Sequence, residues 1–465
     1  MKLLEDVLAM LKSRTGPHMV WIAGMAGTGK TSIALTLCRM LWSDPSVYLA
    51  GTFFCSRSAG SIERTDVKRI IPTLATLLAR QFPAFASMLM QQFLERPDAA
   101  HWSVQSQVEH FIAQPLERLA QDTYTGQIVF VIDALDECNN SSLLGELIDS
   151  IADFKCKLPV KFLLTSRPEM HIRNTPISDP VLSSILRLHT VEPEHVTADI
   201  RLYIGTRLAQ ASKTATWYSA HDVEALVALS SGLFIFASTV VKYILDRGND
   251  AGRRERLQKT NSAVALSSMA VTEPLDRIYE LVVIDASKSE WVDTDELGSM
   301  RKILACVLTV RESLSVQALA NLIGSSTDTL RASLDRLHSL IHLPDNDTEP
   351  GVRTLHASFG DYMLSRAASH IRLASSLGHD LLAAGCLRRM GQSDLCFNIS
   401  GSHSSYEPNA EFQPSSISLS LIYACLHWAH HIDAASTRSA FDRMIGGTFR
   451  RRFLFWLEVL SVMER

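Results

Sequence analysis

Long apolar runs are missing from this chain of 465 residues. The best candidate, Gly232 to Val241, is stopped by Lys242, short of the roughly 18 residues that a membrane-spanning helix needs. No secretory apolar segment follows Met1, where Lys2, Glu5 and Asp6 stand instead, so a cytoplasmic protein without a membrane span is expected. There is no C-x-x-C pair. The cysteines (Cys38, Cys55, Cys138, Cys156, Cys306, Cys386, Cys396 and Cys425) are scattered, which excludes a disulfide frame or zinc-ribbon spacing and fits reduced thiols. A strong charge of either sign is also lacking. With 45 Lys and Arg against 49 Asp and Glu the formal net charge is −4, which gives no broad attraction to nucleic acid or anionic lipid. No repeat of solenoid or propeller period is found. What remains is an ordinary soluble composition, 46% hydrophobic and 20% charged, long enough for about three domains.

Against that background one stretch is specific. Gly24-Met25-Ala26-Gly27-Thr28-Gly29-Lys30-Thr31 follows the apolar run Met19 to Ala23 and precedes a segment of helical character that begins at Ser32. This is the full G-x-x-x-x-G-K-[ST] phosphate loop. Its glycines let successive N–H groups turn inward, Lys30 reaches the β- and γ-phosphates, and the Thr31 hydroxyl ligates Mg2+. The positive end of the following helix faces the phosphates.

The second landmark is Ile128 to Glu137. Its unbroken apolar residues predict a strand buried on both faces of a parallel sheet, with carboxylates at the C-terminal tip where such sheets bind ligands. Asp133 suits Mg2+, and Asp136 and Glu137 suit positioning or activation of a water. A further strand, Val160 to Thr165, runs into Ser166-Arg167-Pro168-Glu169. Arg167 at that sheet edge is placed to sense a γ-phosphate; pairing with a neighbouring acid is its alternative.

In order along the chain, the patterning predicts a short amphipathic helix over 1–16 and a nucleotide-binding domain over 17–192, with another strand over Val47 to Phe54 and a last one at Leu186 to Leu188. A helical domain and linker follow over 193–294, in which the poorly patterned Asp246 to Ser268, with Arg253-Arg254-Glu255-Arg256, reads as a loop or a loosely held helix that turns its charges to solvent. Residues 295–370 read as winged-helix-like: short helices, then strand-like Leu340 to Leu343 and Val352 to Leu355. Residues 301–370 carry as many basic as acidic side chains, so no DNA-tracking face is expected. The rest, 371–465, reads as helical. There His427 and His431 share a helical face, but no further ligand is near in sequence, so packing is favoured over metal binding.

Taken together the motifs resemble the NACHT family of signal-transducing (STAND) P-loop ATPases, in particular fungal NLR-like proteins with a nephrocystin-3-like nucleotide domain. The resemblance is carried by Gly24 to Thr31, Phe53-Phe54-Cys55-Ser56-Arg57, Ile71 to Ala75, Val131 to Glu137 and Leu164 to Glu169, with weaker echoes at Gly232 to Ala237, Pro274 to Tyr279 and Leu421 to Ala429. It implies an α/β P-loop NTPase fold, a parallel five-stranded sheet with helices on both faces and the Arg167 strand between the phosphate-loop and Asp133 strands, followed by helical, winged-helix and C-terminal helical parts. Related switch ATPases hold ADP through a Met-His-Asp motif. Leu355-His356-Ala357 sits in its place without the aspartate, which implies a β-phosphate contact from His356 and a weakened brake.

The resemblance therefore implies an ATP/ADP-binding switch using Mg2+, with nucleotide-controlled homo-oligomerisation and slow hydrolysis. Gly24 to Ser32 and His356 would bind nucleotide, Thr31 and Asp133 the metal, and Lys30, Asp136, Glu137 and Arg167 would act in catalysis. Effector and sensor domains usual in the family do not stand in this sequence, which reads as a core fragment, a truncated gene product or a partner whose missing domains other chains supply. The competing readings are a nucleotide-binding scaffold without significant hydrolysis and a P-loop small-molecule kinase.

Overall fold

In the computed structural model the apolar runs become a five-stranded sheet made of β1 (Met19–Ala23), β2 (Val47–Phe54), β3 (Gln127–Asp133), β4 (Val160–Ser166) and β5 (Ser183–Arg187). Their order is β2-β3-β4-β1-β5, and every neighbouring pair is parallel. The structure describes residues 2–25, 27–56, 64–96, 99, 102–119, 126–167, 183–188, 193–211, 217–246, 249–265, 274–287, 294–401 and 417–463.

The apolar runs of β1 (Met19 to Ala23), β3 (Ile128 to Ile132) and β4 (Phe162 to Leu164) have a simple cause. Successive side chains of a strand point to opposite faces, and here both faces are covered. Met19, Trp21, Ile128, Phe130, Ile132, Phe162 and Leu164 enter one core with the helices Ile70–Ala79, Pro83–Glu95 and Ser141–Ala152. Val20, Ile22, Val129, Val131 and Leu163 enter the other, with α1 (Lys2–Lys12) and α2 (Lys30–Trp42). Phe130 and Phe162 stack across adjacent strands with ring centroids 5.3 Å apart. A buried side chain of that size is worth roughly 1.5–3 kcal/mol of transfer free energy.

The parallel register brings four strand ends to one sheet edge. Gly24 N donates to Ser166 O at 3.1 Å and Cys55 N to Asp133 O at 3.0 Å, so the ends of β1 and β4, and of β2 and β3, are stitched together. At the opposite edge Lys161, though in a central strand, donates through Nζ to the carbonyls of Gly16 (2.5 Å) and Pro17 (2.7 Å) and fixes the chain just before β1.

The chain forms two compact units, one of residues 1–57, 61–206 and 226–237, the other of 58–60, 207–225 and 238–465. Among its described residues the second unit has helices and one antiparallel pair of strands, Ile341–His342 with Arg353–Thr354, that follows the helices Thr294–Thr309, Val316–Ile323 and Thr327–Asp335. Helix Ser375–Met390 passes very close to its neighbours. A Cβ on Gly378 would lie 2.3 Å from the Ala305 carbonyl oxygen, and one on Gly385 would lie 2.1 Å from that of Leu322.

Two local expectations are corrected. The first helix ends at Lys12, where Ser13 Oγ accepts from Gly16 N. Residues 250–265 form one helix, and not all its charges face solvent. Arg256 is buried, donates to Tyr243 O at 2.5 Å and Asp246 Oδ2 at 2.6 Å, and lies over the Tyr243 ring. Its neighbours Arg253 and Arg254 donate to the carbonyls of Ala211 and Trp217. Arginines that reach carbonyls are anchors, and apolar periodicity cannot register them.

Candidate nucleotide site

The loop after β1 depends on two left-handed glycines, Gly27 (φ 77°) and Gly29 (φ 86°), the second of which caps α2. At Gly27 a side chain is doubly excluded, because a Cβ there would lie 1.9 Å from Ile235 Cγ2. Ile235 N also donates to Gly27 O at 3.1 Å, so the first turn of the helix Phe234–Leu245 clamps the loop from outside. Inside it, Lys30 Nζ donates to the carbonyls of Gly24 (2.7 Å) and Met25 (2.9 Å), and Thr28 Oγ1 also donates to Met25 O at 2.9 Å. An anion arriving at the loop has to take these donors from the loop's own carbonyls. Ala26 lies outside the described residues, as do Arg57, Pro168 and Glu169. Ser32 is exposed in the first turn of α2.

Across the sheet edge, Asp133 Oδ2 accepts from Thr31 Oγ1 at 2.7 Å, and Oδ1 accepts from Thr165 Oγ1 at 2.5 Å. The Thr165 hydroxyl in turn accepts from Ala134 N at 2.9 Å. Ala134 takes a left-handed conformation (φ 57°), which turns the chain from β3 into the tight helical turn Leu135–Glu137. A small residue there limits the steric cost of that conformation. Arg167 meets Asp136 twice, N to Oδ1 at 2.8 Å and Nε to Oδ2 at 2.9 Å. The alternative weighed for this arginine, an acid partner, is the one present. Glu137 is half-buried, with its N–H on Ala134 O.

These groups share one electrostatic environment. Burial lowers the Lys30 ammonium below the usual lysine range and Arg167 pushes the same way, while Asp136, Asp133 and Glu137 oppose them. Burial raises the Asp133 carboxyl, more than the Thr165 and Thr31 hydroxyls and Lys30 offset. A buried carboxylate facing a hydroxyl, short of positive charge, suits a hard divalent cation, and the oxygen donors Thr31 and Asp133 fit Mg2+.

His356 belongs to the second unit. It is the residue before helix Ala357–Asp361, where its Nδ1 accepts from Ser358 N at 3.2 Å and lies 2.6 Å from Ser358 Oγ, itself 2.8 Å from Tyr279 Oη.

Two contributors were not assigned roles from sequence, Thr165 and Ile235. Both lie inside quoted motifs, Leu164 to Glu169 and Gly232 to Ala237, so a signal existed. Their roles depend on which strand lies beside β3 and which helix meets the loop.

Residues 4–167 match the family model described as Nephrocystin 3, N-terminal. The mouse (Mus musculus) NACHT, LRR and PYD domains-containing protein 4E is 26% identical over 168 residues, 35% of this chain and 13% of that protein. Among solved structures, a STAND protein with a tetratricopeptide repeat sensor from Pyrococcus horikoshii aligns with 99% of this chain and 53% of its own, at 12% identity and TM-score 0.45. A Walker-type ATPase of Pyrococcus abyssi aligns with 78% of this chain and 94% of its own, at 14% identity and TM-score 0.34. The chain thus spans about an eighth of the mouse relative and half of the first archaeal one. The complete phosphate loop at the edge of a parallel sheet thus lies within residues 4–167, the part of the chain that is similar to the nephrocystin 3 N-terminal family, and together they support a NACHT/STAND-type P-loop NTPase.

Proposed function

We propose that the chain is an ATP/ADP-operated signalling switch. The observation that carries this reading is the gathering of Lys30, Thr31, Asp133 and the Asp136–Arg167 pair at one sheet edge. Lys30 leaves the Gly24 and Met25 carbonyls to meet the β- and γ-phosphates, and the loop N–H groups and the α2 N-terminus take the remaining charge. Thr31 and Asp133 would hold Mg2+, whose chemistry is to neutralise charge building up on the phosphate oxygens. Glu137 orients a water. Arg167 exchanges Asp136 for the γ-phosphate, which gives ATP and ADP different contacts, as a switch requires. The ATP-bound chain self-associates and slow hydrolysis returns it. His356 is included as a nucleotide ligand of the ADP state, in competition with its bond to Ser358.

Lys30→Ala is expected to weaken ATP binding by at least about tenfold, the loss of one charge-assisted contact, read by titration with a fluorescent nucleotide. Unchanged affinity would remove the site. Mass measured by light scattering with ADP and with a non-hydrolysable ATP analogue tests the switch; a single mass with both rejects it. The Asp136–Arg167 pair also favours a second reading, a scaffold that holds nucleotide without turnover, because it occupies one of the two acids next to the water position. ADP retained with no phosphate release, and no effect of Glu137→Gln on release, would select that reading.

A further inference from the structure

The acidic turn that follows β3 ends in a cysteine with a partner. Cys138 Sγ donates to Cys55 Sγ at 3.5 Å, and both are reduced. A disulfide needs about 2.05 Å between sulfurs, so closing the bond asks for a movement of roughly 1.5 Å, within reach of a turn that is not part of a strand. The positions of the two residues are what make this consequential. Cys55 follows β2 directly and is stitched to the end of β3 through Cys55 N and Asp133 O. Cys138 follows Glu137 directly, and its own N–H bonds Leu135 O. A bond between them would draw the C-terminal end of the turn, with Asp136 and Glu137, toward β2. The turn's other end stays fixed by Ala134 N on Thr165 Oγ1.

We propose that Cys55 and Cys138 are a redox modification site, oxidised to a disulfide by a hydroperoxide, and that the disulfide displaces the acidic turn and shuts down the nucleotide site beside it. The functional half of this rests on the switch reading above. The chemistry balances with peroxide alone. The Cys138 sulfur attacks one oxygen of H2O2, the O–O bond breaks, and the departing hydroxide takes the thiol proton, leaving a sulfenic acid and water. Cys55 sulfur then attacks the sulfenic sulfur, the S–O bond breaks, and the expelled hydroxide takes the Cys55 proton as a second water. Two thiols are oxidised by two electrons and the peroxide is reduced by two. The residues are 4% and 7% exposed, Cys138 the more so, which disfavours bulky disulfides as the oxidant. Cys138, the more exposed of the two, is the first to meet the oxidant.

The test uses the full chain treated with hydrogen peroxide, then alkylated and digested without reductant. The expected result is a cross-linked peptide pair joining Cys55 to Cys138. Amide exchange at residues 134–139 changes with it, ATP turnover falls at least about tenfold as the acids leave their positions, and dithiothreitol reverses all three. Cys138→Ser, and separately Cys55→Ser should the first fold poorly, keep turnover and lose the response to peroxide. No such peptide, with the exposed Cys396 oxidised in the same sample, overturns the proposal, as does a formed disulfide that leaves exchange at 134–139 unchanged. Should the reduced protein bind no nucleotide, the switch reading fails by itself; the peptide and the exchange data still decide this one.

Discussion

Thr165 links the two halves of the site through a single hydroxyl, which donates to the buried Asp133 carboxylate and accepts the Ala134 N–H. Thr165→Val keeps the shape and removes both bonds. A buried N–H left without a partner costs about 1–3 kcal/mol, and Asp133 loses one of the hydroxyl donors that hold its carboxyl down against burial. Two results are therefore expected: a lower denaturation midpoint, and a higher Mg2+ concentration needed for nucleotide binding. Thr165→Ser restores both. A valine variant with wild-type Mg2+ dependence would show that the hydroxyl only supports the turn. The same logic of a doubly used position applies at Gly27. Gly27→Ala meets both the left-handed backbone and the Ile235 side chain, so nucleotide binding is expected to be lost. Adding Ile235→Ala should recover it only in part, because the steric conflict is relieved while the backbone cost of about 1–2 kcal/mol remains.

Elements were legible where burial on both faces writes itself into composition. β1, β3 and β4 are buried throughout, so each reads as an apolar run, and the phosphate loop and Asp133 are recognisable at their tips. β5 has no such run and was legible only as Leu186 to Leu188. The helix Asp250–Ala265 was not legible as an anchored helix. Its hold comes from arginines on carbonyls and on Asp246, contacts that depend on partners elsewhere in the fold. At the site, the resemblance already implies that the Arg167 strand lies beside the Asp133 strand, and an acid partner is one reading of Arg167, but the identity of that acid, Asp136, and the Thr165 relay depend on side-chain contacts that the sequence does not specify. Helix packing in the second unit depends on a similarly silent feature, the glycines of Ser375–Met390. Gly385→Ala places a methyl 2.1 Å from the backbone oxygen of Leu322, which has no rotamer with which to yield. The helices must separate, at a cost of about 1–3 kcal/mol or more, read as a lower unfolding midpoint by circular dichroism. Gly145→Ala, with nothing within 4 Å of the added carbon, is the control expected to be neutral or stabilising.

Across the whole molecule the two units carry buried titratable groups of opposite sign. In the second unit, His431 is fully buried, with Nε2 on Tyr423 Oη at 2.7 Å and Nδ1 facing His379 Nδ1 at 2.9 Å. Burial, then His379, His430, His427 and Arg311, pushes its pKa down to about 2. The folded unit holds His431 neutral, whereas the unfolded chain binds a proton below an ordinary pKa of about 6.5. Stability from this group is thus full above that value and is lost steadily as pH falls toward 2, by about 2 kcal/mol at pH 5. In the first unit Asp133 is raised, so between the ordinary aspartate pKa and the raised one the folded state holds the extra proton, and acid favours it. Calorimetry at pH 7.5 and pH 5 is therefore expected to show the second unit's transition falling by about 4–8 °C, with no comparable loss from Asp133 in the first. The first unit's transition is the one that Mg·ATP raises, since a ligand stabilises the unit that binds it. His431→Gln should flatten the second unit's dependence on pH. A glutamine variant that keeps the wild-type slope would move the source of acid sensitivity away from the Tyr423–His431–His379 chain.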